Sequence, residues 1–322
     1  MADALPVIGT PPDAVYVAAP GYAEDLEAEI VARGQRLLAR HADLFFVQGA
    51  SGPAAWAQNT WLRPETVPVA SIGEAARALR ARQRNWHLHA LVQHRRAQLV
   101  VDKLPPIRFR PLSFPADAPS APLGAWTLLD REHLLLSAEC SSPFPDGQVP
   151  FVEDRVQPPN RAYLKLWEAL TLARSRPEPG TRCLDLGAAP GGWSWVCACL
   201  GAEVVSIDRA ALAPQVLATG RVAHQCGDAF RLRAEQVGEV QWILSDLAAY
   251  PERLLELARY WAEALPAANM IFTIKLQGPP DPAAYRAFLD IPGSRVMHLS
   301  HNKHELTWFR LMDGGPIEAA RR

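Results

Sequence analysis

The amino-acid sequence predicts an α/β protein in two parts: a mostly parallel sheet with an antiparallel last strand, preceded by a smaller α+β module. Three observations predict this architecture. Short apolar segments alternate with helical patterns from Thr181 onward, as expected of βαβ units. The last two apolar segments are joined by only about five residues, too few for a parallel crossover. Proline-rich stretches separate this regular part from the residues before it.

Length and composition are those of a well-cored globular protein. The chain has 322 residues, of which 49% are hydrophobic and 21% are charged, so disordered and fibrous proteins are excluded and two domains are expected. Its apolar runs are shorter than the roughly 18 residues that a membrane helix needs. Residues 1–15 lack the basic-then-apolar pattern of a signal peptide. We therefore expect a cytoplasmic protein with no membrane partner.

The cysteines favour neither disulfides nor zinc. There are five, an odd number, and no two have the CxxC spacing of a metal or redox site. We interpret them as small core residues and expect no metal ion. They are Cys140, Cys183, Cys197, Cys199 and Cys226.

The first part of the chain has the pattern of a small α+β module. Ser71, followed three residues later by Glu74, forms a capping box that predicts the start of a helix. The apolar patterns predict strands at residues 14–19, 44–48, 87–92 and 98–101, and helices at residues 24–38 and 72–84.

Two proline-rich stretches then follow, on either side of a predicted hairpin. Residues 105–122 contain six of the 29 prolines and cannot form regular structure. The hairpin pairs residues 126–129 with residues 133–137. The second stretch, residues 143–159, is the expected site of the domain boundary. We place an N-terminal module at residues 1–145 and a second domain at residues 146–322.

The second domain begins with a helix and continues with strands. The helix covers residues 161–174, and Lys165 lies off its apolar stripe. A parallel sheet closed by an antiparallel hairpin strand is the arrangement of Rossmann-like S-adenosylmethionine (SAM)-dependent methyltransferases. The predicted strands are residues 183–186, 204–207, 242–244, 270–275, 295–300 and 306–311.

One run of the first part is strongly basic although the whole chain has a formal net charge of −1. Residues 76–101 contain six arginines, three histidines and no carboxylate. The predicted helix at residues 72–84 places Arg77, Arg80 and Arg84 on its exposed face. Such a run is either a nucleic-acid docking surface or an ordinary solvated helix face.

A loop of small residues follows the first strand of the second domain. It reads Asp185-Leu186-Gly187-Ala188-Ala189-Pro190-Gly191-Gly192-Trp193. Small residues at the carboxyl end of a strand allow a ligand to approach the backbone, where the amides of a helix can meet a carboxylate. The loop lacks the GxGxxG spacing of nucleotide-phosphate loops, and Asp185 precedes the glycines, as expected for a cationic cofactor.

Carboxylates follow the next two strands. Asp208 ends the second strand, where a carboxylate can accept both hydroxyls of a ribose. Asp228 follows the third, at the position from which an adenine amino group is usually read. An isolated aspartate is more often a cap or turn residue. Three aspartates at successive strand ends beside a glycine loop favour a SAM site instead. The residues expected to form it are Gly187, Ala189, Pro190, Gly191, Gly192, Trp193, Asp208, Asp228 and Asp246.

Four charged residues are expected to meet at the same edge of the sheet. Asp246 ends the fourth strand, Lys275 ends the fifth, and Glu305 begins the last. Because the last strand is antiparallel, its beginning lies beside the ends of the others. Lys165, from the preceding helix, can complete the set. The chain contains 29 arginines and only four lysines, so two of its four lysines fall at this one place.

At these residues the chain resembles the FtsJ-type RNA ribose 2′-O-methyltransferases, and within them the ribosomal RNA large subunit methyltransferase M group. The resemblance covers residues 142–312 and rests on short motifs, with Ala189 standing where a cysteine is typical. The motifs are Ser142-Pro143-Phe144, Leu164-Lys165-Leu166, the loop from Asp185 to Trp193, Ser245-Asp246, Ile274-Lys275-Leu276 and His304-Glu305-Leu306-Thr307.

The resemblance implies a Lys-Asp-Lys-Glu catalytic tetrad at Lys165, Asp246, Lys275 and Glu305. It also implies SAM as cofactor, RNA rather than DNA as partner with 23S ribosomal RNA as substrate, and a THUMP-like RNA-binding module at the N-terminus. A lysine acts as a base only when its ammonium is destabilised, for example by a neighbouring cation. We assign Lys275 as proton acceptor and Asp246 as its orienting partner. Lys165 and Glu305 then position the ribose.

Other readings remain open. A methyltransferase of the same fold could act on another acceptor, either a small molecule or another RNA, and a non-catalytic RNA-binding protein could keep the fold. Amino-group methylation of adenine is disfavoured, since Ser245-Asp246-Leu247-Ala248 replaces the required Asn-Pro-Pro motif. Carbon-5 methylation is disfavoured because no cysteine follows Cys226. The histidines at 298, 301 and 304 are expected in a solvated turn.

Overall fold

The computed structural model describes residues 10–50, 52–278 and 281–312, so most of residues 1–15, where no signal peptide is expected, lies outside the described residues. The chain divides into two compact units. The first consists of the chain up to Pro111 together with Pro119–Val149. The second consists of Leu112–Ala118 together with the chain from Pro150 onward. The division expected at residues 145 and 146 thus lies slightly before the observed one.

The segment Leu112–Ala118 belongs to the second unit although it precedes the end of the first. Leu112 forms a parallel bridge with Phe151. The Phe114 ring stacks on Trp167, with ring centroids 4.9 Å apart and planes 11° from parallel. Aromatic packing therefore ties part of the first proline-rich stretch to the second unit, a long-range contact that local composition does not reveal.

The first unit contains two sheets. One has the strand order β2-β3-β1-β4-β9 and the other β5-β8-β7-β6. The described strands are β1 (Ala14–Ala18), β2 (Arg36–His41), β3 (Leu44–Gln48), β4 (Ala57–Leu62), β5 (Glu65–Pro68), β6 (Trp86–Leu88), β7 (Gly124–Leu128), β8 (His133–Ser137) and β9 (Glu139–Cys140). The described helices are α1 (Ala23–Ala32), α2 (Ile72–Arg80) and α3 (His94–Val101). The expected α+β composition and the β7–β8 hairpin are confirmed.

Two elements of the first unit differ from the prediction. The helix expected at residues 24–38 ends at Ala32, because Gly34 turns the chain with a φ of +67° and strand β2 follows. Residues 98–101, expected as a strand, form the end of helix α3. Ala97 and Val100 are fully buried three residues apart, which is helical spacing, in the core beneath α2.

The second unit contains one seven-stranded sheet with the order β12-β11-β10-β13-β14-β16-β15. The described strands are β10 (Arg182–Leu186), β11 (Glu203–Asp208), β12 (Val222–Cys226), β13 (Trp242–Ser245), β14 (Asn269–Lys275), β15 (Ser294–Met297) and β16 (Glu305–Arg310). Strands β10 to β14 pair in parallel, and β16 is antiparallel to both of its neighbours. The expected Rossmann-like methyltransferase arrangement is confirmed.

Helices flank this sheet and place the loops that follow its strands. The described helices are α4 (Tyr163–Ala173), α5 (Gly192–Cys199), α6 (Pro214–Leu217), α7 (Ala234–Val237), α8 (Pro251–Ala264) and α9 (Pro282–Arg286). In the described part of the chain, none of the helices combines the length and apolar character needed to cross a membrane.

The cysteines only partly fit the interpretation as core residues. Cys183 and Cys197 are buried in the second unit, whereas Cys199 and Cys226 are exposed. Cys199 is the last residue of α5, and Cys226 ends β12, which is the edge strand of the sheet. Position at the end of an element explains their exposure.

Candidate active site

The four predicted tetrad residues lie together in the second unit. Lys275 is the last residue of β14 and Glu305 the first of β16, and the antiparallel register places them directly opposite each other. Asp246 follows the last residue of β13, the neighbour of β14 on its other side. Lys165 extends from the first turn of α4. The topology expected from the sequence therefore brings all four to one edge of the sheet.

Their charged atoms form one connected network. Lys165 Nζ donates to both carboxylate oxygens of Asp246, each at 2.7 Å, and lies 3.1 Å from Glu305 Oε1. Lys275 Nζ is 3.1 Å from Asp246 Oδ1 and 3.8 Å from Glu305 Oε2. Two ammonium groups thus share two carboxylates.

The two lysines have different surroundings. The Lys165 side chain is 9% exposed and makes the shorter contacts, whereas the Lys275 side chain is 29% exposed. Lys165 is therefore held as a fixed cation by Asp246 and Glu305. Lys275 is the more accessible amine, and its contacts with the two carboxylates are longer.

The glycine loop between β10 and α5 adopts a conformation that larger residues would obstruct. Gly187 has a φ of +74° and Gly191 a φ of +109°, in the left-handed region that favours glycine. A side chain at Gly187 would overlap Leu247, the residue after Asp246, and one at Gly192 would overlap Asn160. The backbone of the loop can therefore pass close to the strand end that carries the tetrad.

Asp208 fixes this loop from the end of β11. Its Oδ2 accepts a hydrogen bond from Ala189 N at 2.9 Å, and its Oδ1 accepts one from Ala210 N at 2.8 Å. Each carboxylate oxygen has two lone pairs, so one on each remains for a ribose hydroxyl. Asp208 thus combines the turn-forming role with the capacity expected of a ribose ligand.

Asp228 is engaged in a similar way. Its Oδ1 accepts a hydrogen bond from Phe230 N at 3.0 Å, and its Oδ2 accepts one from Arg209 at 2.5 Å. The amide of Phe230, with the Arg209 guanidinium, lowers the pKa of the Asp228 carboxyl. The Asp228 carboxylate is therefore an ionised acceptor in the loop after β12, and its assignment to a cofactor site stays a prediction.

Asp185, at the start of the loop, is buried under it. The side chain is 1% exposed, and its Oδ2 accepts a hydrogen bond from Ser194 Oγ at 2.5 Å. The Ser194 hydroxyl also lies 2.6 Å from the Ser206 hydroxyl on β11. Burial raises the pKa of Asp185 to about 7, and the nearby Asp246 contributes to the increase. This hydrogen-bond chain therefore connects Asp185, before the loop, with α5 after it and with β11.

Trp193 links the loop to the helix that carries Lys165. It is buried, and its Nε1 donates to Ala162 O at 2.9 Å, one residue before α4. The backbone carbonyl of Pro190 accepts a hydrogen bond from Ala213 N at 2.9 Å, which joins the loop to the start of α6. The assignment of Ala189, Pro190 and Trp193 to a cofactor site stays a prediction.

Sequence reasoning missed Glu168. This carboxylate on α4 is fully buried, three residues after Lys165. It was detectable as a charged residue four positions after Leu164, on the apolar stripe of the helix. His298 and His301 were expected in a solvated turn, but His298 is buried. Burial lowers its pKa to about 4.

The described part of the chain contains no cluster of three or more histidine, cysteine or acidic side chains arranged to hold a metal ion.

Part of the second unit is similar to a known protein family. Residues 158–276 match the FtsJ-like methyltransferase family. The matched span contains Lys165, the glycine loop, Asp246 and Lys275, whereas Glu305 lies beyond it.

Curated relatives are similar over parts of this chain. One ribosomal RNA large subunit methyltransferase M, from Xanthomonas axonopodis pv. citri (strain 306), is 33% identical over 202 residues, which are 58% of this chain and 57% of the relative. A protein of the same name from Saccharophagus degradans is 37% identical over 136 residues, or 40% of this chain and 38% of that protein. The chain thus aligns with about half the length, or less, of these relatives.

Solved structures resemble the chain more distantly. The structure of Aeropyrum pernix fibrillarin in complex with S-adenosyl-L-methionine is 18% identical, with a TM-score of 0.34, and the match covers 57% of this chain and 81% of fibrillarin. The Methanococcus jannaschii fibrillarin pre-rRNA processing protein is also 18% identical, with a TM-score of 0.36, over 47% of this chain and 76% of that protein.

Proposed function

We propose that this protein is a SAM-dependent RNA ribose 2′-O-methyltransferase whose substrate is 23S ribosomal RNA in the cytoplasm. The observation that carries the proposal is the connected Lys165, Asp246, Lys275 and Glu305 network at the carboxyl edge of an FtsJ-like domain. The names of the curated relatives support the large-subunit RNA as substrate.

The cofactor site suits SAM by its donor and acceptor chemistry. The small-residue loop offers backbone amides at the start of α5, Asp208 retains acceptor capacity for ribose hydroxyls, and Asp228 is an acceptor for an amino group. When bound, SAM supplies a methyl group on a positively charged sulfur. The carboxylate of Asp246 also lies next to the loop, where it can accompany a cation.

The ribose hydroxyl has to lose its proton during methyl transfer, since a hydroxyl is barely ionised at neutral pH. In the proposed mechanism, Lys275 Nζ in its neutral form would accept this proton while the hydroxyl oxygen takes the methyl group from SAM, whose methyl carbon–sulfur bond would break to leave S-adenosylhomocysteine. Asp246 holds Lys275 in place through the 3.1 Å contact. Lys165 keeps its positive charge between the two carboxylates, and Glu305 fixes it from the opposite side.

The first unit is proposed to be a THUMP-like module that docks the RNA. Its helices α2 and α3 pack against each other. Arg82 forms an ion pair with Glu65 and is thereby neutralised. Arg77, Arg80, Arg84, Arg95 and Arg96 have no ion-pair partner among the described carboxylates. Five uncompensated guanidinium groups on neighbouring segments form a surface suited to phosphates.

The proposal is tested first in cells and then with purified protein. Ribose 2′-O-methyl positions in ribosomal RNA are mapped in cells with and without this protein, and one position in 23S RNA is expected to lose its methyl group. If ribosomal RNA is unchanged but the purified protein methylates another acceptor, the domain is a methyltransferase with a different substrate. If it binds RNA and methylates nothing, it is an RNA-binding protein.

The base assignment is tested with two substitutions of one residue. K275A removes the amine, and K275R keeps a positive charge that arginine cannot lose at any accessible pH. Both are expected to lower kcat by about 100- to 10,000-fold, the usual contribution of a general base, with SAM affinity retained. K103A alters an exposed lysine in the first unit and serves as the control. Normal turnover of K275R would exclude Lys275 as the base.

A further inference from the structure

Glu168 is a fully buried carboxylate that the tetrad does not include. It lies in the middle of α4 with 0% of its surface exposed. Transferring a carboxylate from water into a protein interior costs several kcal/mol unless hydrogen bonds or a cation compensate. A buried residue needed only for packing would be apolar, so its hydrogen-bond partners indicate what it does.

The hydrogen-bond partners of the Glu168 side chain among the described residues lie in one short segment between β15 and β16. Its Oε1 accepts a hydrogen bond from Ser300 N at 2.7 Å. Its Oε2 accepts bonds from His301 N at 3.0 Å and from His301 Nδ1 at 2.6 Å. Because a carboxylate oxygen can only accept, His301 carries its proton on Nδ1 in this contact. The side chain thus holds two consecutive residues by three hydrogen bonds.

This segment is the connection between β15 and β16, and it leads directly into Glu305. Further bonds make it a compact turn: His298 Nε2 lies 3.1 Å from Lys303 O, and Asn302 Nδ2 donates to Glu305 O at 3.2 Å. Lys303 N donates to the Glu305 carboxylate at 3.4 Å. The position of the Glu305 side chain therefore depends on where the turn is anchored.

Glu168 also has a fixed relation to Lys165. Residues three apart on a helix face the same side, so the rigid backbone of α4 sets the spacing between the Lys165 ammonium and the anchored turn. Lys165 and Glu305 face each other at 3.1 Å. One helix therefore determines both sides of this contact, by carrying Lys165 directly and by holding the turn that presents Glu305.

We propose that Glu168 is a positioning residue for methyl transfer, which sets the distance between Glu305 and Lys165 without contacting substrate or cofactor. This inference rests on the proposed function of the tetrad. A purely structural role of Glu168 would lower the stability of the fold and leave the turnover of each folded molecule intact. A positioning role lowers turnover while the fold and the cofactor site persist.

The test is the isosteric substitution E168Q. Its amide oxygen can replace one acceptor, but its NH₂ group then faces donors in the turn, so the anchor is lost on one side. We expect kcat per folded molecule to fall by about 10- to 100-fold, since ångström-scale misplacement of catalytic groups costs about that much. The Kd for SAM and the KM for RNA are expected to stay within about twofold. The matched control T171V alters another buried polar residue of α4 at constant volume.

Two further measurements keep the inference testable if E168Q is unstable. Amide hydrogen exchange at Ser300 and His301 is expected to accelerate in E168Q but not in T171V. H301F removes the contacts of Nδ1 with Glu168 and with the Ser300 hydroxyl, leaves both backbone bonds to Glu168, and keeps an aromatic ring near Phe151, whose centroid lies 5.7 Å from that of His301. It is expected to lower kcat by less than E168Q does, and to leave the fold intact.

The possible outcomes separate this inference from the proposed function. An active wild-type protein whose E168Q and H301F variants turn over normally, or lose activity only in proportion to the folded fraction, would overturn the positioning role alone. A wild-type protein that transfers no methyl group to RNA would overturn the proposed function. Accelerated exchange in the turn of E168Q would then still establish the anchor.

Discussion

Replacing Asp185 with asparagine should change how the stability of the second unit depends on pH. Asp185 is 1% exposed, and burial raises its pKa to about 7 from an ordinary value of 3.8. Between these values the folded protein keeps the proton on Asp185, whereas the unfolded chain has lost it. Stability contributed by this group is therefore present at about pH 4 and is lost as the pH rises through 7.

The size of the effect follows from the two pKa values. A pKa difference of one unit corresponds to about 1.4 kcal/mol, so ionising Asp185 in the folded protein costs about 4 kcal/mol of unfolding free energy between pH 4 and pH 8. Asparagine has nearly the same shape, can accept the hydrogen bond from Ser194 and has no charge to gain. D185N should therefore gain about 4 kcal/mol relative to wild type over this interval.

The assay has to report on the second unit alone, because each unit has its own core and a global signal would mix two transitions. Native-state hydrogen exchange of the β10 amides, measured at increasing urea, gives the unfolding free energy of the sheet around Asp185. Taking the difference between variant and wild type removes the contributions of other titrating groups. The control D290N alters an exposed carboxyl of the same unit. Parallel pH curves for D185N and wild type would refute the reasoning.

The remaining predictions concern the two binding surfaces. D208A should weaken SAM binding by about 10- to 100-fold, since it removes charged acceptors worth about 1.5–3 kcal/mol each, and calorimetry with an unchanged Kd would contradict this assignment. The double variant R80E/R84E should bind RNA more weakly and lower the slope of log affinity against log salt by about 2, because each phosphate contact contributes nearly one to that slope. R36E, on the exposed side of β2, should leave the slope unchanged. Equal slopes for R80E/R84E and wild type would mean that the arginine run is a solvated helix face.

The parallel sheet of the second unit could be predicted because its strands are buried on both faces. Such strands are short, continuous apolar runs, and β10 and β13 each have four consecutive buried residues. The direction of the last strand followed from the short connection before it. Once the directions were known, the strand ends that meet at one edge were known too, so the tetrad could be predicted as a group.

The first unit was less predictable because its signals are not local. Strand β4 was missed, since its sequence Ala-Gln-Asn-Thr-Trp-Leu is polar although five of its six residues are buried. The buried Asn59 is satisfied there because its side-chain oxygen accepts hydrogen bonds from the adjacent Thr60 N and from Ser142 N, which is 83 positions away. Helix α3 has an apolar cluster at its end that resembles a strand. These elements are set by tertiary contacts that override local preference.

Glu168 shows the same limit within the site. The sequence indicates a charge on an apolar stripe, but its partner Ser300 lies 132 positions away and can be identified only once the fold has brought the connection between β15 and β16 beside α4. The tetrad was predictable because each member stands at a strand end or helix start whose place the topology fixes. A residue that acts through hydrogen bonds to a turn has no such marker.

The scarcity of lysine gives the tetrad an argument independent of family similarity. Arginine provides 29 of the 33 basic residues, so a permanent surface cation is normally arginine in this chain. Lys103 and Lys303 are exposed, whereas Lys165 and Lys275 both contact Asp246 and Glu305. A buried ion-pair network alone would be served at least as well by arginine, whose planar group binds carboxylates in two-point fashion. Lysine is required where a compact ammonium must lie between two carboxylates, or where an amine must give up its proton, and in the proposed mechanism Lys165 and Lys275 meet these two needs in turn.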